Sequence, residues 1–156
     1  MIEIKMSHGD LSFATIEATA RFNFNRAKGN DASQGHAPTW VEQVAREISG
    51  CLGEIAIARW QDKYPFALFS ERKMGDVGEF EVRTTAYATG KLLITDKDDP
   101  ARKYLLVTLP TFYTANIHGW MYGYEAQDAK YYNTSMRAPV YAVEQKYLHA
   151  PETIYG

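Results

Sequence analysis

Gly75-Asp76-Val77-Gly78-Glu79-Phe80-Glu81-Val82-Arg83-Thr84-Thr85 reads as a turn running into an extended segment. Side chains alternate faces along a strand, so Glu79, Glu81 and Arg83 share one face while Phe80 and Val82 turn the other way, toward a core. Groups two residues apart on such a face lie roughly 7 Å from each other. Asp76, arriving from the preceding turn, adds a second carboxylate beside Glu81. Two hard oxygen donors with a cation alongside suit Mg²⁺ and a phosphate. An exposed strand of alternating charges would be written with the same residues. The choice between them depends on the rest of the chain.

With 156 residues, 46% of them apolar and 13% aromatic, the chain has the material for one folded domain with its own core, spanning residues 1–156. Cys51 is the only cysteine and has no internal disulfide partner. No stretch approaches the ~18 apolar residues of a membrane helix, and Met1-Ile2-Glu3-Ile4-Lys5 lacks the basic-then-apolar run of a secretory signal. The expected setting is a reducing cytoplasm, with no membrane partner. A net charge of −2 exerts no overall pull on nucleic acid, so contact with DNA would need a local basic patch.

The clearest helix begins at Pro38-Thr39, where Thr39 and Glu42 have capping-box spacing ahead of an apolar run. Val41, Val44, Ile48, Cys51, Leu52 and Ile55 recur at helical intervals and predict a buried stripe continuing to about Trp60. Gly50 and Gly53 interrupt it, each costing roughly 1 kcal/mol relative to alanine, which implies that something passes close to that turn. Glu54 follows and is expected at the border between core and solvent, as a third acidic group or as a solvated glutamate.

Upstream, Phe13, Ile16, Ala20 and Phe24 predict an amphipathic helix from Leu11 to about Lys28, followed by a polar loop over residues 29–36. Arg21, Arg26 and Lys28 lead into that loop and are candidates for the phosphate backbone of DNA, or cations favoured by a helix C-terminus. After the long helix the period changes to that of strands, at residues 65–69, 79–85, 91–95, 104–109 and 112–120, which suggests a meander. A helical turn over 125–130 and a short strand at Val140-Tyr141-Ala142-Val143 complete the expected elements. His8, His36, His118 and His149 have no zinc-ligand spacing, and no glycine-rich phosphate loop or Gly-x-Ser-x-Gly elbow is present. The clustered Tyr122, Tyr124, Tyr131 and Tyr132 suit base stacking or, more commonly, half-buried packing with a wet hydroxyl.

Gly53-Glu54 on a helix, then Asp76, then Glu81-Val82-Arg83 on a strand follow one another in the order of the PD-(D/E)XK nuclease superfamily, which this chain resembles. Gly53-Glu54-Ile55-Ala56, Gly75-Asp76-Val77-Gly78, Glu81-Val82-Arg83-Thr84-Thr85, His118-Gly119-Trp120 and Glu125-Ala126 resemble, more narrowly, small uncharacterised bacteriophage-encoded members. The likeness spans most of 38–148, leaving 1–37 as an N-terminal helix and polar loop. It implies an α/β fold with a mixed central sheet flanked by helices, and Mg²⁺-dependent cleavage of DNA with Mn²⁺ as a substitute. Asp76 and Glu81 would be metal ligands, with the Val82 carbonyl beside them and Glu54 completing the shell directly or through water. Arg83 would act on the scissile phosphate, with Lys91 a further phosphate contact. A phage protein would work in the cytoplasm of its bacterial host.

Arg83 departs from the superfamily pattern, which has lysine there. Arginine stays protonated and grips phosphate through a planar fork, so Arg83 would stabilise charge without serving as a base. Two other readings follow: an inactive nuclease fold that binds nucleic acid, and a phage protein that binds and modulates a host factor.

Overall fold

The computed structural model describes residues 1–27, 39–63, 76–136 and 138–156, with the side chains of 25–27 outside that description. In chain order the elements are β1 (Ile2–Lys5), α1 (His8–Ala27), α2 (Trp40–Trp60), β2 (Phe80–Thr85), β3 (Leu92–Ile94), β4 (Lys103–Thr111), β5 (Thr114–Tyr122), α3 (Gly123–Ala126), β6 (Tyr132–Asn133) and β7 (Val140–Val143). The strand expected at 65–69, the loop at 29–36 and Lys28 lie outside the described residues.

α2 starts where the capping box places it. Glu42 N–H donates to Thr39 Oγ1 at 3.3 Å, and Thr39 N–H donates to Glu42 Oε2 at 2.7 Å. From Cys51 to Ala58 every residue of α2 is buried, because this half of the helix lies between α1 and a sheet. Val41, expected in the stripe, is exposed, since the first turns of α2 extend beyond that contact.

The sheet is mixed, in the order β1-β5-β4-β2, with β2 parallel to β4 and the other pairs antiparallel. A meander would have paired β2 with β3. Instead β3 joins β7 and β6 in a second, three-stranded sheet. The cause is the apolar pair Leu92 and Ile94, which pack with Tyr104, Leu106, Met121 and Val143 in a second core. The main core lies on the opposite face of the first sheet, where α2, backed by α1, covers Phe80, Val82, Leu105, Val107, Ala115 and Ile117. The chain is thus an α/β domain with a mixed sheet and helices, as expected, and short α3 lies on the second core through Ala126. Both long helices take one face, and the small sheet takes the other.

The register of α1 also differs from the expectation. Ile16 and Phe24 are exposed, and the buried line runs through Ala14, Glu17 and Ala18. The small alanines let α1 approach α2 closely, and Glu17 is buried because a charge partner awaits it.

Candidate functional site

Gly53 lets α2 run close against β2. A Cβ built on it would lie 2.0 Å from Thr84 Oγ1, so only glycine lets α2 pass this close to β2. The contact inferred at the interrupted turn is therefore real for Gly53, while among the described residues Gly50 has nothing within 4 Å of its missing Cβ. Glu54, one residue along, is carried into the interior beside the strand. It is 6% exposed, where the sequence placed it at the border with solvent.

Arg21 accounts for that burial. Its Nη1 and Nη2 donate to Glu54 Oε1 and Oε2, both at 2.7 Å, and its Nε donates to Glu17 Oε1 at 3.1 Å. Arg21 therefore spends its guanidinium on two buried carboxylates, where the sequence suggested a contact to a DNA backbone or a cation at a helix C-terminus. Burial pushes the Glu54 carboxyl up to about 7, against the pull of Arg21, and the negative charges of Asp76 and Glu17 add to the rise. Of the other two cations in the expected patch, the Arg26 side chain and Lys28 lie outside the described residues.

Asp76 sits in the bend just before β2 and uses Oδ2 to accept the Val82 N–H at 2.8 Å. Among the described residues β2 is the outer strand, so this bond lies on its free edge. A strand residue points its N–H and C=O the same way in the sheet plane, which puts the Val82 carbonyl on that edge too. Glu79 is exposed in the turn, ahead of the strand face it was expected to share with Glu81 and Arg83. Gly78 turns the chain there with φ +62, a conformation that disfavours any side chain.

Glu81 and Arg83 lie on the face turned away from the helices, as the alternation required. Arg102, just before β4, donates through Nη1 to Glu81 Oε1 at 2.6 Å. Arg83 donates through Nη2 to Asp98 Oδ1 at 2.8 Å, lies 3.9 Å from Glu81 through Nη1, and stacks its guanidinium 5.0 Å from the Tyr104 ring centre. Burial raises the Glu81 carboxyl above its ordinary range, and the Asp76 charge raises it further. Arg102, Asp98 and Tyr104 were not anticipated. They meet β2 through the parallel β2–β4 pairing, which aligns Glu81 with Tyr104 and which no local pattern announces.

Asp76 is thus the common neighbour of Glu54 and Glu81, its charge acting on both. The donor chemistry of Asp76, Glu81 and the Val82 carbonyl fits a hard cation. Glu54 is held back by Arg21, and among the described residues no three His, Cys, Asp or Glu side chains form a metal-ligating group. Lys91 lies elsewhere, 3.7 Å from Glu144, which follows β7 directly. No protein-family model, curated protein or solved structure matches this chain. Among the described residues no helix is long and apolar enough to cross a membrane.

Proposed function

We propose that the protein is a Mg²⁺-dependent DNA phosphodiesterase with a PD-(D/E)XK-like core, its site on the free edge of β2. The supporting observation is that Asp76 accepts the Val82 N–H on that edge while its charge raises the carboxyls of both Glu54 and Glu81. Acids from a helix, a turn and a strand thus share one electrostatic field. Asp76 and Glu81 would hold the ion, with the Val82 carbonyl beside them. The ion, when bound, would polarise the phosphate and lower the pKa of an attacking water. Arg83, fixed by Asp98 and Tyr104, would steady the phosphate charge through its fork and would not take a proton. Glu54, with its carboxyl near 7, has a proton affinity suited to exchange at neutral pH, provided Arg21 releases it.

The test is calorimetry with Mn²⁺ on the intact protein and on Asp76→Ala and Glu81→Ala, alongside nicking of supercoiled plasmid in Mg²⁺. Each variant is expected to lose ion binding and nicking together. Unchanged Mn²⁺ affinity in both would sink the assignment.

One observation favours a second reading, a nuclease-like fold that binds nucleic acid without turnover. Glu54 and Glu81 are each already paired with an arginine, Arg21 and Arg102. On that reading DNA binds in EDTA and plasmid stays intact at any Mg²⁺ concentration.

A further inference from the structure

The second sheet carries a groove that the carboxylate site does not use. Its volume is about 590 Å³, within the range that encloses a small ligand, and Ala142 lines it, leaving that stretch of β7 open. Tyr131, Tyr132 and Tyr147 border it, together with Lys91 and Lys130. Ordinary packing accounts for Tyr131, which leans on the second core. Tyr132 and Tyr147 lean on Tyr141 and Tyr131, at ring-centre distances of 5.3 and 5.9 Å, yet stay 46% and 51% exposed.

The cations are arranged around these rings. Lys130 Nζ lies 4.8 Å from the Tyr131 ring centre and Lys146 Nζ 4.8 Å from that of Tyr147. Lys91, Lys130 and Lys146 face two carboxylates: Glu144, at 3.7 Å from Lys91 and 2.8 Å from Lys146, and Asp128, at 3.5 Å from Lys130. Among the described residues, these three against two leave one positive charge in a chain whose net charge is −2. So small an excess is weak for an acidic peptide held by charge alone. Half-exposed aromatic rings beside ammonium groups instead match a ligand that alternates flat rings with phosphates. Duplex DNA has its base faces already stacked, so the matching form is single-stranded.

We propose that this groove binds a short segment of single-stranded nucleic acid, with bases stacked on Tyr132 and Tyr147 and phosphates beside Lys91 and Lys130. The site is separate from the edge of β2 and needs no metal. The experiment is fluorescence anisotropy of a labelled twelve-nucleotide oligothymidylate with the full chain, at low salt in EDTA. Tyr132→Ala and Tyr147→Ala are each expected to weaken binding by roughly fivefold to a hundredfold, the worth of one stacked base. Tyr132→Phe and Tyr147→Phe, which keep the ring, should bind as the intact protein does, and thermal melts of all four report folding. Lys130→Gln should reduce the slope of log affinity against log salt by about 0.7. Intact protein that does not bind the oligomer, or alanine variants that bind it undiminished, would overturn the proposal. So would thymidine monophosphate competing as well as the oligomer, which means a mononucleotide site, or oligoglutamate doing so, which means charge alone. Because EDTA removes any metal dependence, failure here leaves the reading of Asp76 and Glu81 untouched.

Discussion

Arg21 and Glu54 form a two-pronged ion pair between α1 and α2, both N–O distances being 2.7 Å, and Glu17 receives the remaining edge of the same guanidinium. Two buried carboxylates therefore depend on one arginine. Removing one partner of a buried ion pair costs about 3–5 kcal/mol, because the other charge is left unpaired. Arg21 keeps 23% of its side chain exposed, so the lower end of that range applies. At pH 7, Arg21→Gln is expected to lower stability in urea by roughly 3 kcal/mol, and Glu54→Gln, which leaves Arg21 with Glu17, by about 1 kcal/mol. If Arg21→Gln falls within experimental error of the intact protein, the pair does not hold the helices together.

The same carboxyl gives stability a pH dependence. With its folded pKa raised to about 7 by burial, Glu54 binds its proton more tightly in the folded than in the unfolded chain. Its contribution is present in full below about pH 4.5 and is lost as the pH rises through about 7. His118 acts in the opposite sense, since burial lowers its pKa, and what it contributes is lost as the pH falls. Subtracting the curve of Glu54→Gln removes His118 from the comparison. Relative to Glu54→Gln, the intact protein should lose up to roughly 3 kcal/mol of stability as the pH rises from about 5 to 8. A flat difference curve in urea melts across that interval would show that Glu54 ionises normally.

Much of this was legible where the physics is local. Thr39 and Glu42 announce the start of α2, the alternation in 80–85 orients Glu81 and Arg83, and the glycine at 53 signals a close neighbour. What escaped was set by distant partners. β1 shows only two alternating pairs, Ile2-Glu3 and Ile4-Lys5, too short to identify as a strand without the β5 beside it. The buried stripe of α1 lies one position from the one its sequence suggests, because large Ile16 and Phe24 suggest burial more strongly than Ala14 and Ala18 do. Glu17 looks like a solvent residue until Arg21 and Glu54 surround it. Likewise Arg102 gains its meaning only from the parallel pairing that puts β4 next to β2.

Gly53 and Gly50 offer a controlled comparison within one helix. Alanine at either position gains about 1 kcal/mol in helix propensity. At Gly50 nothing among the described residues opposes that gain, and Gly50→Ala should stabilise by up to about 1 kcal/mol. At Gly53 the new methyl would meet Thr84 Oγ1 at 2.0 Å and its Cβ and Cγ2 at 3.1 Å, so β2 or α2 must shift. Overpacking of this kind costs about 1–3 kcal/mol, and Gly53→Ala is expected to destabilise despite its better propensity. Thermal melts of the two variants should move in opposite directions. Combining Gly53→Ala with Thr84→Gly, which removes the obstructing side chain, should recover part of the loss, and an additive double variant would place the clash elsewhere.

Asp76→Asn separates the charge of Asp76 from its hydrogen bond. The amide oxygen can still accept the Val82 N–H now held at 2.8 Å, so stability should stay within about 1 kcal/mol of the intact protein. The charge, however, is gone, and with it one of the causes that raise Glu54 and Glu81. Both carboxyls are expected to titrate lower, in spectra of protein carrying carbon-13 at its glutamate carboxyls. A like-charged neighbour acts only at short range, so the two should respond while Glu144, whose pKa is held low by Lys146, should not. Titrations of Glu54 and Glu81 that stay where they were would mean the three acids share no field, and the common site on the edge of β2 would lose its basis. If they shift as expected while Mn²⁺ affinity also drops by roughly tenfold or more, the same residue is both the electrostatic hub and an ion ligand.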